Sequence, residues 1–80
     1  MSATIGSNIK NIRIKSGLTQ EKVAEKARLP YATYIKIENN HIANPTILTI
    51  LKLAFALGIS IDDLIKGTEI IDKVKNLRKT

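Results

Sequence analysis

The chain contains no cysteine and a single histidine, His41. Disulfides and thiolate metal sites are therefore excluded, which suits a reducing compartment without requiring one. One histidine and seven scattered acids form no cluster with metal-ligand spacing, so neither a metal nor another cofactor is expected. A glycine-rich phosphate cradle is missing, and so is any serine–histidine–acid set; catalysis is not expected. A long hydrophobic run is missing too. The opening MSATIGSNIK has no apolar stretch of signal-peptide length, and Lys10 closes it. The stretch from Ile47 to Ile61 is the most apolar, but it carries Lys52 and crosses Gly58, which excludes a membrane helix. The expectation is a cytoplasmic protein with no membrane partner.

Eighty residues make one domain with a small core. Without disulfides or metal, burial against a second copy is the remaining way to add stability. Thirteen Lys and Arg against seven Asp and Glu give a net charge of +6. Such a surface attracts phosphate through screened Coulomb forces and counterion release. Charge alone leaves nucleic acid beside a plainer reading, a soluble basic surface.

Punctuation divides the chain into five short helical segments. The first runs from about Ile5 to Ser16, with Ile5, Ile9, Ile12 and Ile14 near helical spacing and Gly17 ending it. The second runs from a Thr19 cap to Ala27, with Val23, Ala24 and Ala27 inward and Glu21 in the first turn. Arg28 and Leu29 form a turn, and Pro30 restarts the chain. The third segment spans about Tyr31 to Asn39, with Tyr34 and Ile37 inward and Lys36 opposite; Asn39 or Asn40 ends it in the left-handed conformation. In the fourth, Asn44 is the expected cap and Pro45 the first helical residue, with Ile47, Ile50, Leu51, Ala54 and Leu57 as the buried face and Gly58 as terminator. The fifth starts at Ser60, whose spacing to Asp63 fits a capping box, and buries Ile61, Leu64 and Ile65.

Beyond Gly67 lies TEIIDKVKNLRKT. Ile70, Ile71, Val74 and Leu77 keep helical spacing among basic residues. Three roles stay open for it: a short sixth helix, a dimer element, or a frayed tail. The domain is assigned to residues 1–67 and the basic amphipathic tail to residues 68–80. A contiguous surface of Ile59, Ile61, Ile65 and the tail isoleucines would favour two-fold dimerisation.

The second and third segments are joined too tightly for anything but a sharp crossing, the geometry of a helix-turn-helix. A plain five-helix bundle would give the same spacing. The residues then add a resemblance. GLTQEKVAEKARLPYATYIKIENN resembles the Cro/repressor (XRE-type) helix-turn-helix family, through Gly17-Leu18-Thr19-Gln20, Ala24 and Tyr34-Ile35-Lys36-Ile37-Glu38-Asn39. Pro45-Thr46-Ile47 and the run from Leu53 to Ile65 resemble the family's fourth and fifth helices. The resemblance covers residues 6 to 66. It implies an all-α, five-helix, lambda-repressor-like DNA-binding domain.

The resemblance also implies roles. Tyr31, Ala32 and Lys36 match base-facing positions on the recognition helix, which lies in the major groove. Lys36 can donate to guanine O6 or N7, or to phosphate; Ala32 can offer a methyl to thymine; Tyr31 can use its ring edge or hydroxyl. Gln20 is expected to bond a phosphate and to brace the recognition helix. Asn39, Asn40, His41 and Asn44 line a loop that runs along the DNA backbone in the family. Arg13 and Glu38 match a structural salt bridge between the first and third helices. Three positions depart from the family. Arg28 and Asn40 stand where glycine is common, and Tyr34 replaces a smaller aliphatic residue, so its hydroxyl needs a partner.

The function implied is a sequence-specific regulator of transcription that binds double-stranded DNA. Its expected form is a homodimeric repressor on a palindromic operator. A restriction-modification controller and the antitoxin of a toxin–antitoxin pair, with a protein partner, share these features. A protein-interaction module that has kept the fold is the reading without DNA.

Overall fold

Four of the five helices begin at a hydroxyl that satisfies an otherwise free N–H group. The computed structural model describes residues 3–68. It contains α1 (Ile5–Lys15), α2 (Gln20–Lys26), α3 (Tyr31–Glu38), α4 (Ile47–Leu57) and α5 (Ile61–Ile65), and no strand among the described residues. Thr4 and Ser7 form a reciprocal capping box on α1, each backbone N–H donating to the other's hydroxyl at 3.1 Å. Thr19 Oγ1 accepts from Lys22 N–H (3.1 Å) and opens α2. Ser60 Oγ accepts from Asp63 N–H (3.1 Å) and opens α5. Pro30, at φ −56°, precedes α3 without a side-chain cap.

The start of α4 differs from expectation. Thr46, extended at φ −65° and ψ 160°, is the cap, and its Oγ1 accepts from Thr49 N–H at 3.2 Å. Asn44 and Pro45 lie before it. Two residues able to cap stand close together here, and the threonine hydroxyl takes the N–H.

Helix ends follow one pattern. After α1, α2, α3 and α4 a residue at positive φ turns the chain: Gly17 (70°), Arg28 (55°), Asn40 (67°) and Gly58 (68°). In each case the next residue's N–H reaches back five positions: Leu18 to Arg13 O, Leu29 to Ala24 O, His41 to Lys36 O and Ile59 to Ala54 O, at 2.8–3.1 Å. This is the Schellman arrangement, which satisfies carbonyls left free at a helix end.

The helices enclose one core. α1 packs on α3, α4 and α5, α2 packs on α3 and α4, and α4 packs on α5. Tyr34, Ile9, Ile37, Leu53, Leu64 and Val23 are its fully buried side chains. Ile14 is exposed, as are Ile47 and Leu51, contrary to the expected inward faces. In α4 the buried set is Ile50, Leu53, Ala54, Ala56 and Leu57. ILTILKLAFAL is apolar nearly all round, so several stripes of helical period run along it and only packing selects one.

Two polar details hold α1 in place. An ideal Cβ on Gly6 would lie 2.6 Å from each of Ile37 O, Glu38 O and Asn40 Oδ1. Only glycine lets α1 approach the end of α3 this closely. Asn8 Nδ2 donates to Leu64 O and Lys66 O, both at 2.9 Å, capping the end of α5 from outside. Thr68, the first residue of the expected tail, is buried, and its hydroxyl donates to Ile65 O. The expected element from Glu69 onward lies outside the described residues.

Candidate nucleic-acid interface

α3 has two chemically different sides. Tyr34, Ile37 and Glu38 are buried. At 100° per residue these three occupy one arc. Ala32, Lys36 and Asn39 fall on the opposite arc, whereas Tyr31, the first residue of the helix, lies beside the buried arc in projection; all four are exposed. Ile35 and Thr33, at the flanks, are half-buried. The helix thus offers solvent a methyl and an ammonium group along one side, and an aromatic ring at its first residue.

What aims this side is a polar cluster around Glu38, whose side chain is only 1% exposed. Arg13 donates from Nη2 to Oε1 at 2.9 Å and from Nε to Oε2 at 3.0 Å. Its remaining Nη1 donates to Leu18 O at 2.9 Å. Gln20 Nε2 adds a bond to Oε1 at 3.1 Å, and the Tyr34 hydroxyl donates to Oε2. Four donors from α1, α2 and α3 converge on one carboxylate. No buried side-chain polar atom among the described residues lacks a partner. A bidentate guanidinium fixes orientation as well as charge.

The protonation states follow from this geometry. Burial pushes the Glu38 carboxyl upward, but the hydrogen bonds from Arg13, Tyr34 and Gln20 outweigh it and hold it below its ordinary value. Burial, then the bond to Glu38, pushes the Tyr34 phenol well above its usual value, so it stays a donor. The bond to Glu38 outweighs desolvation and raises Arg13.

The site residues expected from sequence divide accordingly. Arg13 and Glu38 are paired, and Gln20 joins them. A carboxylate only accepts, so the amide NH2 of Gln20 faces Glu38, and one of its two hydrogens remains for another acceptor. Asn39, Asn40, His41 and Asn44 are all exposed after α3. Asn40 Oδ1 lies against Gly6, which ties this residue to α1. Gly6 and Asn8 are positioning residues that the sequence reading passed over. A glycine inside an otherwise helical pattern was the available signal for Gly6. Asn8 gave none, because its acceptors lie more than fifty positions away.

The helix-turn-helix family model matches residues 9–64. The chain belongs to the XRE-type helix-turn-helix family of transcriptional regulators. An uncharacterised HTH-type transcriptional regulator of Sinorhizobium fredii is 35% identical over 69 residues, covering 86% of this chain and 88% of that protein. The immunity repressor of Bacillus phage phi105 is 39% identical over 70 residues, which is 88% of this chain but 47% of the repressor. Among solved structures, Bacillus subtilis SinR in complex with DNA superposes with a TM-score of 0.75 at 32% identity, covering 79% of this chain and all of that one. In this helix-turn-helix chain, α2 and α3 are the two named helices and residues 27–30 the turn. No helix of the described residues is long and apolar enough to cross a membrane.

Proposed function

We propose that the chain is a sequence-specific transcriptional repressor that binds a palindromic operator as a homodimer, each copy laying α3 in the major groove. Tyr31, Ala32 and Lys36 read base edges. Gln20, Asn39, Asn40, His41 and Asn44 hold phosphates. The observation that carries the reading is the exposed side of α3, braced from behind by the Glu38 cluster. A reading helix must be rigid, because its side chains discriminate bases only within narrow hydrogen-bond geometry. Gln20 serves both tasks: one amide hydrogen braces Glu38 and the other reaches phosphate. The repressor and the DNA-bound regulator among its relatives support the same reading.

Selection from a random duplex pool tests it, followed by titration at two salt concentrations. An enriched inverted repeat is expected. Binding without enrichment, lost steeply with salt, would reduce the protein to charge-driven association and refute the operator reading.

A further inference from the structure

An open groove of about 700 Å³ lies between the end of α2, the outer side of α4 and the start of α5. That volume falls among sites for small organic molecules, about 300–1,000 Å³. Ala27, Leu51, Ala54, Ile59 and Ile61 give the groove an aliphatic floor. Phe55, which also lines it, is the most exposed large apolar side chain among the described residues, at 86%. Ile65, expected to share a surface with Ile59 and Ile61, is instead buried.

Every charged side chain that lines the groove is a cation: Lys26, Arg28 and Lys52. None of the three forms an ion pair among the described residues. Two of them are placed against local preference. Lys52 is the one charged residue of α4, in a helix that is otherwise apolar nearly all round. Arg28 stands at φ 55°, a conformation that glycine adopts without strain. Strain kept at such a position points to a use for the side chain.

We propose that the groove binds an anionic amphiphile, a fatty carboxylate, with its chain on the aliphatic floor and its head among Lys26, Arg28 and Lys52. The site goes beyond the DNA reading and does not depend on it. The lining selects this occupant. A guanidinium takes a carboxylate through paired N–H groups, and the two ammonium groups add charge. A neutral lipid would leave all three cations without a counter-charge. Among the lining side chains only the Ser60 hydroxyl can accept a hydrogen bond, and it already accepts from Asp63 N–H. A nucleobase or a peptide would bring N–H donors that find no free side-chain acceptor there, and burying an unpaired donor is costly. A hydrocarbon chain brings none, and each methylene it buries is favourable. Asp62 and Asp63 follow Ile61 along the chain but line no part of the groove. Tyr31, Ala32 and Lys36 line no part of it either, so an occupant leaves the exposed side of α3 clear.

Amide chemical shifts test this, with the isotope-labelled 80-residue chain held at fixed concentration and titrated with sodium dodecanoate below its micelle concentration. Saturable shifts are expected, concentrated at residues 26–28 and 51–61. Arg28→Gly removes one cation while relieving the strained turn, so it stays folded. It should bind dodecanoate about tenfold more weakly, the scale of one hydrogen bond to a charged group. Lys52→Gln should also bind more weakly, whereas Lys10→Gln, on α1 and outside the groove, should bind like the wild type. Dodecyltrimethylammonium carries the same chain with the opposite charge and should shift the groove amides less at equal concentration. The absence of saturable shifts, or shifts spread evenly over the chain, would overturn the proposal. So would equal binding of the two amphiphiles, or wild-type affinity in both Arg28→Gly and Lys52→Gln, since the cations would then not hold the head. Groove amides that move with protein concentration and ignore dodecanoate would show that another chain fills the groove, which overturns it too.

Discussion

At the scale of single residues, Glu38 is the point on which the proposed reading helix turns. It accepts four hydrogen bonds, and its folded-state pKa lies below the ordinary 4.5. The unfolded chain therefore binds the proton more readily than the folded one. Stability from this carboxylate is complete above about 4.5 and is lost as the pH falls through its lower, folded value. Urea midpoints measured from neutral pH downward should fall for the wild type across that window. Glu38→Gln should be less stable at neutral pH by about 3 kcal/mol, because Arg13 keeps its charge without a counter-charge. Its acid limb should be flatter. An unchanged acid limb would mean that Glu38 is not the group linking stability to pH. Tyr34→Phe removes one charged hydrogen bond and should cost about 1.5–3 kcal/mol.

Arg28 poses a different residue question, because its φ of 55° is strain rather than contact. Arg28→Gly relieves about 1 kcal/mol of left-handed strain, and the greater freedom of unfolded glycine takes back part of that. A net gain of about 0.5 kcal/mol is expected in urea denaturation at low protein concentration. Arg28→Ala should give no gain, which separates backbone relief from loss of the guanidinium.

At the scale of elements, caps were legible only in part: Thr19 and Ser60 cap as expected, but Thr46 takes the place of Asn44 and the Thr4 cap was not foreseen. Thr19 and Ser60 sit where their hydroxyls reach an N–H three residues on, and Arg28 and Asn40 follow helices at positions that favour glycine. The Arg13–Glu38 pair came from resemblance, and Tyr34's need for a hydroxyl partner was legible without the partner. That Tyr34, Gln20 and Arg13 share one carboxylate is a property of tertiary packing, spread over positions 13 to 38. The buried side of α4 was legible only in part: Ile50, Ala54 and Leu57 are buried as expected, but Ile47 and Leu51 are exposed and Leu53 and Ala56 take their place, since a helix apolar nearly all round has a weak phase to read. Gly6 makes the sharpest element-level test. Gly6→Ala drives a methyl against two backbone carbonyls of α3 that cannot rotate away. Overpacking of this kind costs about 1–3 kcal/mol, set against a helix-propensity gain of about 1 kcal/mol. A net loss of up to about 2 kcal/mol is expected in chemical denaturation. Operator affinity should fall with it, because α1 braces α3. A stabilised Gly6→Ala would mean that the two helices do not approach as described.

At the scale of the whole molecule, symmetry sets the last expectation. A single α3 reaches only part of one groove, and the exposed groups on it are few. On the proposed dimeric reading, useful affinity comes from two copies acting on one face of the duplex, with half-site centres about one helical turn, or roughly 34 Å, apart. The spacing between half-sites becomes a property of the protein rather than of either half-site. Inserting about five base pairs between them rotates the second half-site by half a turn, to the far side of the DNA. A dimer bound to one half-site cannot then reach the other, and affinity in gel-shift titrations should drop to that of a lone half-site. Inserting about ten restores the face but stretches the span, so recovery should be partial at most. Lys36→Ala on the unaltered operator should cost about 1–3 kcal/mol and relax preference at one base pair in each half-site, at symmetric positions. A loss of affinity spread evenly over all sequences would instead make Lys36 a phosphate contact. The salt dependence separates the cases further. A lost phosphate contact reduces the slope of log affinity against log salt by about 0.9 per ammonium removed, whereas a lost base contact leaves that slope nearly unchanged.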